Sequence, residues 1–185
     1  MKSHPILYLF FCIACLAIVL GIGVRWSVLL QQGPMVWVDE LHTAWTVDAD
    51  WNAIAKRAHA GNQSPLFFWL EAGWIHLGGM SSLQLRMPAA IGGFAFVALA
   101  GWVVWLLTRD RASALLSVGL ASLEPQAIFY ATEARPYSWV QFFAVASFYC
   151  GWRWINDPLN LRTRAPFLLA STFLFYFHLT ALLFL

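Results

Sequence analysis

Residues 88–108 read PAAIGGFAFVALAGWVVWLLT, a run without one charged side chain between Arg86 and Arg109. A helix needs about 20 such residues to cross ~30 Å of hydrocarbon, and this run is long enough. Outward from it lie further apolar stretches at 5–24, 65–77, 112–131, 137–155 and 165–185. Hydrophobic residues make up 61% of the 185-residue chain and charged ones 11%. A soluble domain carries roughly 25% charged residues and about 45–50% apolar ones, and one core of this size does not hide the excess. The fold class predicted is therefore all-α, a polytopic transmembrane helix bundle.

Net charge is +2, which points to no nucleic acid and no acidic partner. Cys12, Cys15 and Cys150 fall inside apolar runs, where cysteine acts as a small apolar residue. A Cys12–Cys15 redox pair would belong beside a soluble βαβ pattern instead. Lys2 precedes the first run as in a signal peptide, but the run exceeds the usual 7–15 residues of such segments. Gly21-Ile22-Gly23 leads into Val24-Arg25-Trp26 without a convincing cleavage site. An uncleaved anchor is expected.

The one long polar stretch, 31–64, holds Asp39, Glu40, Asp48 and Asp50. Ala44, Val47, Trp51, Ile54 and Ala58 recur at steps of three and four, the spacing of an apolar stripe on a helix. Asp50 suits an N-cap and Gly61 the C-terminal stop, with Lys56, Arg57 and His59 in the last turn. Short helices lying in the membrane interface are predicted over about 40–60, at a depth that suits Trp37, Trp45, Trp51, Trp69 and Trp74.

Arginines and lysines prefer cytoplasmic loops. Lys2, the Arg109-Asp110-Arg111 turn and the loop with Arg153, Arg162 and Arg164 are all expected inside. They agree only if residues 65–77 do not cross. That run is short and carries Glu71 and His76, so an interfacial or re-entrant helix is predicted there. The expectation is a single membrane-embedded domain over 1–185 in the cell membrane, N-terminus cytoplasmic, with spans at about 5–24, 88–108, 112–131, 137–155 and 165–185. Asp39, Glu40, Glu133 and Arg135 then share one face of the bilayer, which His178 approaches.

Each of these residues has a plain reading beside the chemical one. Asp39 is an N-cap and Glu40 a dipole partner, or else they supply a carboxylate that takes a proton from an acceptor or binds a cation. Glu133 and Arg135 form a surface pair worth less than ~1 kcal/mol, or else Arg135 clamps a phosphate with its planar fork. Ionisable groups near the hydrocarbon are costly and commonly functional. Arg86 opens the helix at Pro88 and snorkels to headgroups, and Ser64-Pro65 is ordinary helix-start chemistry. His178 on an apolar helix reads as a satisfied or pore-facing residue.

The order of the pieces says more than any one of them. Asp39-Glu40, then Ser64-Pro65-Leu66 with Trp69, then Leu85-Arg86-Met87-Pro88-Ala89-Ala90, then Glu133-Ala134-Arg135-Pro136-Tyr137 resembles the GT-C superfamily of membrane glycosyltransferases. The branch is the protein O-mannosyltransferase-like and lipid A aminoarabinose-transferase-like one. Phe177-His178-Leu179-Thr180-Ala181 resembles its His-containing helix. The resemblance implies transfer of a sugar from a polyprenyl-phosphate donor to a protein or glycolipid acceptor on the non-cytoplasmic face, usually with inversion. It implies catalytic roles for Asp39, Glu40 and Glu133, and substrate binding by Arg135, Tyr137, Arg86 and His178.

A base near the acceptor and cations around the departing phosphate are what such a transfer needs. The three acids are also placed to share a divalent cation, although no ligand spacing requires one. Gln63-Ser64-Pro65 departs from the aminoarabinose branch, where a lysine often precedes the proline pair. The resemblance covers the N-terminal part of a larger enzyme, so a truncated fragment is expected. The alternative is a non-catalytic multi-pass subunit. A transporter fits less well, since its ionisable groups would lie at mid-span and no inverted repeat is visible.

Overall fold

The computed structural model describes residues 5–33 and 36–184, and among these every regular element is helical. In chain order these are α1 (Pro5–Gln31), α2 (Val38–Val47), α3 (Trp51–Ala60), α4 (Leu66–Gly78), α5 (Ser82–Thr108), α6 (Arg111–Leu123), α7 (Pro125–Ala131), α8 (Tyr137–Asn156) and α9 (Leu161–Phe177). A 3-10 segment, Leu179–Phe184, follows. The protein is an all-α bundle with short helices in the long segment after α1.

Helix ends follow local chemistry. Asp50 caps α3, accepting from the N–H groups of Asn52 at 3.0 Å and Ala53 at 2.9 Å. Such a cap satisfies donors that the helix leaves unpaired. The left-handed residue after α3 is Asn62 (φ 56°), while Gly61 keeps a negative φ. Glycine at 61 serves packing instead: a Cβ there would lie 2.5 Å from His42 Nε2. Ser64 does not cap α4; Pro65 holds that position and the Ser64 hydroxyl is buried without a partner. Helix α5 starts at Ser82, six residues before Pro88, because the Ser81 hydroxyl accepts from Gln84 N–H.

Residues 11–31 and 82–108 are long and apolar enough to cross a bilayer. Helices α6 and α7 pass the same test together but are bent by 63° at their junction, the geometry of a broken span or a re-entrant loop, so the chain has a third span if the pair crosses as one. Large apolar side chains such as Leu16 and Val19 of α1 and Leu120 of α6 point outward, as lipid-facing residues do. The helices approach closely at small residues. A Cβ on Gly93 would come within 2.4 Å of Ala131 Cβ, and one on Gly21 within 2.4 Å of the Ser122 carbonyl oxygen. Helices α8 and α9 pair through ring contacts, with Phe143 stacked on Phe173 and Phe177.

The break between α6 and α7 is built around Pro125. Proline has no N–H to give the carbonyl four residues back, here that of Ala121. Buried Arg25 of α1 supplies the missing donors, to Ala121 O at 3.2 Å and to Ser122 O. Glu124 then caps α7 through Ala127 N–H.

Helices α2, α3 and α4 pack into a hydrophobic core with residues of α5, α9 and the loop before α8. Val47, Ile54, Ala58, Phe67 and Phe68 pack there with Leu85, Ala134 and Phe177. Of the expected stripe, Val47, Ile54 and Ala58 are buried, Ala44 is half-buried and Trp51 is exposed. Helix α2 is inverted relative to a soluble helix: Glu40, Thr43 and Thr46 are buried, while Trp37, Val38, Leu41 and Trp45 are exposed. An apolar outer face of this kind suits the headgroup–acyl boundary.

Candidate active site

The loop 132–136 between α7 and α8 organises the site, and α2 grips it at Ala134. Ala134 N–H donates to Glu40 Oε1 at 3.1 Å, and Thr43 Oγ1 donates to the Ala134 carbonyl at 2.9 Å. From α8, Ser138 Oγ donates to Ala89 O at 2.7 Å and Trp139 Nε1 to Pro88 O at 2.9 Å. Glu133 and Arg135, on either side of Ala134, are thereby fixed against α2 and α5.

Glu40 is engaged at both oxygens. Arg86 Nε donates to Oε1 at 2.7 Å and Nη2 to Oε2 at 2.6 Å, with both side chains buried. Arg86 Nη1 also reaches the Gly33 carbonyl at 3.4 Å. Asp39 is not the N-cap of α2; Trp37 takes that position. Asp39 lies in the first turn, where the helix dipole favours an anion. It is half-buried, and its carboxylate accepts no hydrogen bond among the described residues.

Glu133 is 3% exposed. Burial first, then the negative charges of Glu40 and Asp39, push its carboxyl up to about 7, against the pull of Arg135 and Arg86. It is thus half-ionised near neutral pH, the condition for accepting or giving up a proton. Buried Glu71 on α4 is raised well above the ordinary range, by burial and then by Glu40, and neither of its oxygens has a partner among the described residues. His42, one turn past Asp39, is held below its usual range by burial and then by Arg135.

Arg135 faces a second group of residues. With the Gln63 amide oxygen turned toward it, that oxygen accepts from Nη2 at 2.6 Å and from Nη1 at 3.2 Å. Its Cζ stands 5.7 Å from the Tyr137 ring centroid, and the Tyr137 and His178 rings are also 5.7 Å apart. Thr180 Oγ1 lies 2.7 Å from His178 Nδ1. A cavity of about 80 Å³ sits here, bordered by Gln63, Ser64, Pro136 and His178. Ser64 Oγ, on its border, is buried without a partner among the described residues, and so is Arg135 Nε, next to the bordering Pro136. A phosphate oxygen suits such donors.

Asp39, Glu40, Arg86, Glu133 and Arg135 therefore share one electrostatic neighbourhood, with Tyr137 and His178 on its Arg135 side. The sequence singles out neither Thr43 nor His42 and gives Ser64 only as a helix start, because the placement of all three depends on contacts between distant segments. Glu71 was noticed only as an obstacle to spanning. Among the described residues no three His, Cys, Asp or Glu side chains group so as to hold a metal ion. Glu40, with both oxygens on Arg86, does not fit a cation shared with Asp39 and Glu133.

A family model described as dolichyl-phosphate-mannose-protein mannosyltransferase matches residues 53–180. The matched segment contains Arg86, Glu133, Arg135, Tyr137 and His178 and begins after Asp39 and Glu40. No curated protein and no solved structure matches the chain.

Proposed function

The chain belongs to the dolichyl-phosphate-mannose-protein mannosyltransferase family, and from that premise we propose that it moves a sugar from a polyprenyl-phosphate donor to a protein or glycolipid acceptor at the non-cytoplasmic face of the cell membrane. Its N-terminus is cytoplasmic, and α8 and α9 cross the bilayer with the three spans described above.

The acceptor oxygen or nitrogen forms a bond to the anomeric carbon while the bond from that carbon to the phosphate oxygen breaks. Polyprenyl phosphate leaves with the electron pair, and the acceptor proton passes to a carboxylate. Asp39 is that base, since its carboxylate accepts no hydrogen bond among the described residues. Glu133 assists, and the observation that carries this reading is the buried Glu133 held with Arg135 on a loop that Glu40 and Thr43 bind at Ala134. Arg135, with Ser64 and His178, holds the phosphate as charge grows on it. Glu40 and Arg86 position the loop.

The test is transfer of labelled mannose from dolichyl-phosphate mannose in membranes containing the chain. Transfer is expected with the natural sequence and is expected to be lost in Asp39→Asn. Membranes with the natural chain that move no label above an empty-vector control would remove the reading. Unchanged phenotypes for Asp39→Asn, Glu133→Gln and Arg135→Gln would favour the non-catalytic subunit.

A further inference from the structure

A groove runs between α1 and α6 on the lipid-facing side of the bundle, far from the site just described. Its volume is about 560 Å³, within the roughly 300–1,000 Å³ of ligand-sized clefts. Ala14, Ala17 and Gly119 form a floor of small residues, and Phe11, Leu116 and Leu120 rise as walls. At one end the lining changes to Asp110, Arg111 and Ser113. Arg86 and Arg109 lie at opposite ends of α5, and their separation along the axis is roughly 35 Å from the helical rise. The groove therefore ends at the bilayer face opposite Glu133.

The polar end is cationic in effect. Asp110 is turned inward on its own helix, accepting from Ala112 N–H at 3.3 Å, Ser113 N–H at 2.8 Å and Ser113 O–H at 2.6 Å. Those bonds hold its carboxyl below the usual range. Arg109 and Arg111 flank it, both exposed. Arg109 packs over the Trp105 ring at 5.3 Å, at the level where an amphipathic ring meets headgroups.

We propose that this groove is a binding site for one anionic phospholipid, with an acyl chain along the Ala14–Ala17–Gly119 floor and the headgroup phosphate against Arg111 and Arg109. The two guanidiniums ask for an anion at the headgroup level, and the apolar groove beneath them asks for a hydrocarbon chain attached to it. A second helix in the same place would bring no compensating charge to the basic end.

Native mass spectrometry of the full chain, with phosphatidylglycerol and phosphatidylcholine of matched acyl chains, tests the assignment. The natural chain is expected to retain one phosphatidylglycerol more tightly than phosphatidylcholine. Arg111→Gln is expected to weaken phosphatidylglycerol about fivefold, the effect of one basic residue near a lipid surface, and to leave phosphatidylcholine unchanged. Leu116→Trp, which narrows the groove from an exposed position, is expected to weaken both lipids. Circular dichroism establishes that each variant remains helical. Equal retention of the two lipids by the natural chain would overturn the proposal, as would retention unaltered in both variants. Displacement of the lipid by inorganic phosphate would also overturn it, by showing that the headgroup alone suffices. Loss of a dimer in Leu116→Trp with lipid retention intact would assign the groove to a second copy instead.

Discussion

Glu40 and Arg86, 46 positions apart, meet in a doubly bonded ion pair with neither side chain more than 2% exposed. The pair ties the first turn of α2 to the start of α5, and the Ala134 N–H adds a third bond to Glu40. Burying two charges is expensive, so such a pair holds only while both members are present.

Removing one member leaves an uncompensated buried charge, at a cost of about 3–5 kcal/mol. Arg86→Met is therefore expected to lower the thermal midpoint in detergent steeply. The double variant Glu40→Met/Arg86→Met is expected to recover a large part of the loss. A double variant as unstable as the single one would show that the two charges do not act as a pair.

Arg25→Met is expected to loosen the α6–α7 junction, because Ala121 and Ser122 lose their donors. Each buried orphaned acceptor costs about 1–3 kcal/mol. Arg25→Lys keeps a charge but supplies one donor group in place of a fork, so an intermediate midpoint is expected. Equal stability of Arg25→Met and the natural chain would dismiss this role for the arginine.

Stability should fall as pH rises from roughly 4.5 toward 7, since Glu133 binds its proton more tightly folded than unfolded in that window. Glu133→Gln should flatten this part of the profile. Glu71, also raised by burial and by Glu40, contributes with the same sign. In the transfer assay, ionisation of Glu133 should appear as activity gained with a midpoint near pH 7, absent in Glu133→Gln. A Glu133→Gln melting profile identical in shape to the natural one would contradict the assignment.

Gly93→Ala forces a methyl into Ala131, and overpacking of this kind costs about 1–3 kcal/mol. Gly23→Ala, with open space around the position, should instead stabilise α1 by about 0.5–1 kcal/mol. Melting midpoints that move in opposite directions would verify both.

Cysteine labelling examines the topology. In a background without Cys12, Cys15 and Cys150, an impermeant reagent applied from the non-cytoplasmic side should reach Asn62→Cys and miss Arg111→Cys. Labelling of both positions from that side would break the proposed path.

Hydropathy made the long helices and the separate short helix over 65–77 readable, since length and charge content are local properties. Asp50 as a cap was readable for the same reason. The α6–α7 break was not: residues 112–131 form one apolar stretch, and the bend at Pro125 depends on Arg25 from another helix. Arg86 looked like a helix boundary beside Pro88, yet α5 begins earlier because Ser81 caps it. Asp39 and Glu133 were identifiable as candidates, but the engagement of Glu40 and the bonds to Ala134 span 46 to 94 positions. Composition carries no trace of such pairings.

The grip on Ala134 from both its amide and its carbonyl has a mechanical outcome. An acid and a cation on neighbouring positions of that short loop travel wherever α2 travels. If α2 rests in the interface on its exposed Trp37 and Trp45, as the proposed topology has it, a thinner or thicker bilayer raises or lowers it. The spacing between Glu133 and Arg135 is insulated from that vertical drift, because the raft and its cargo move as one piece.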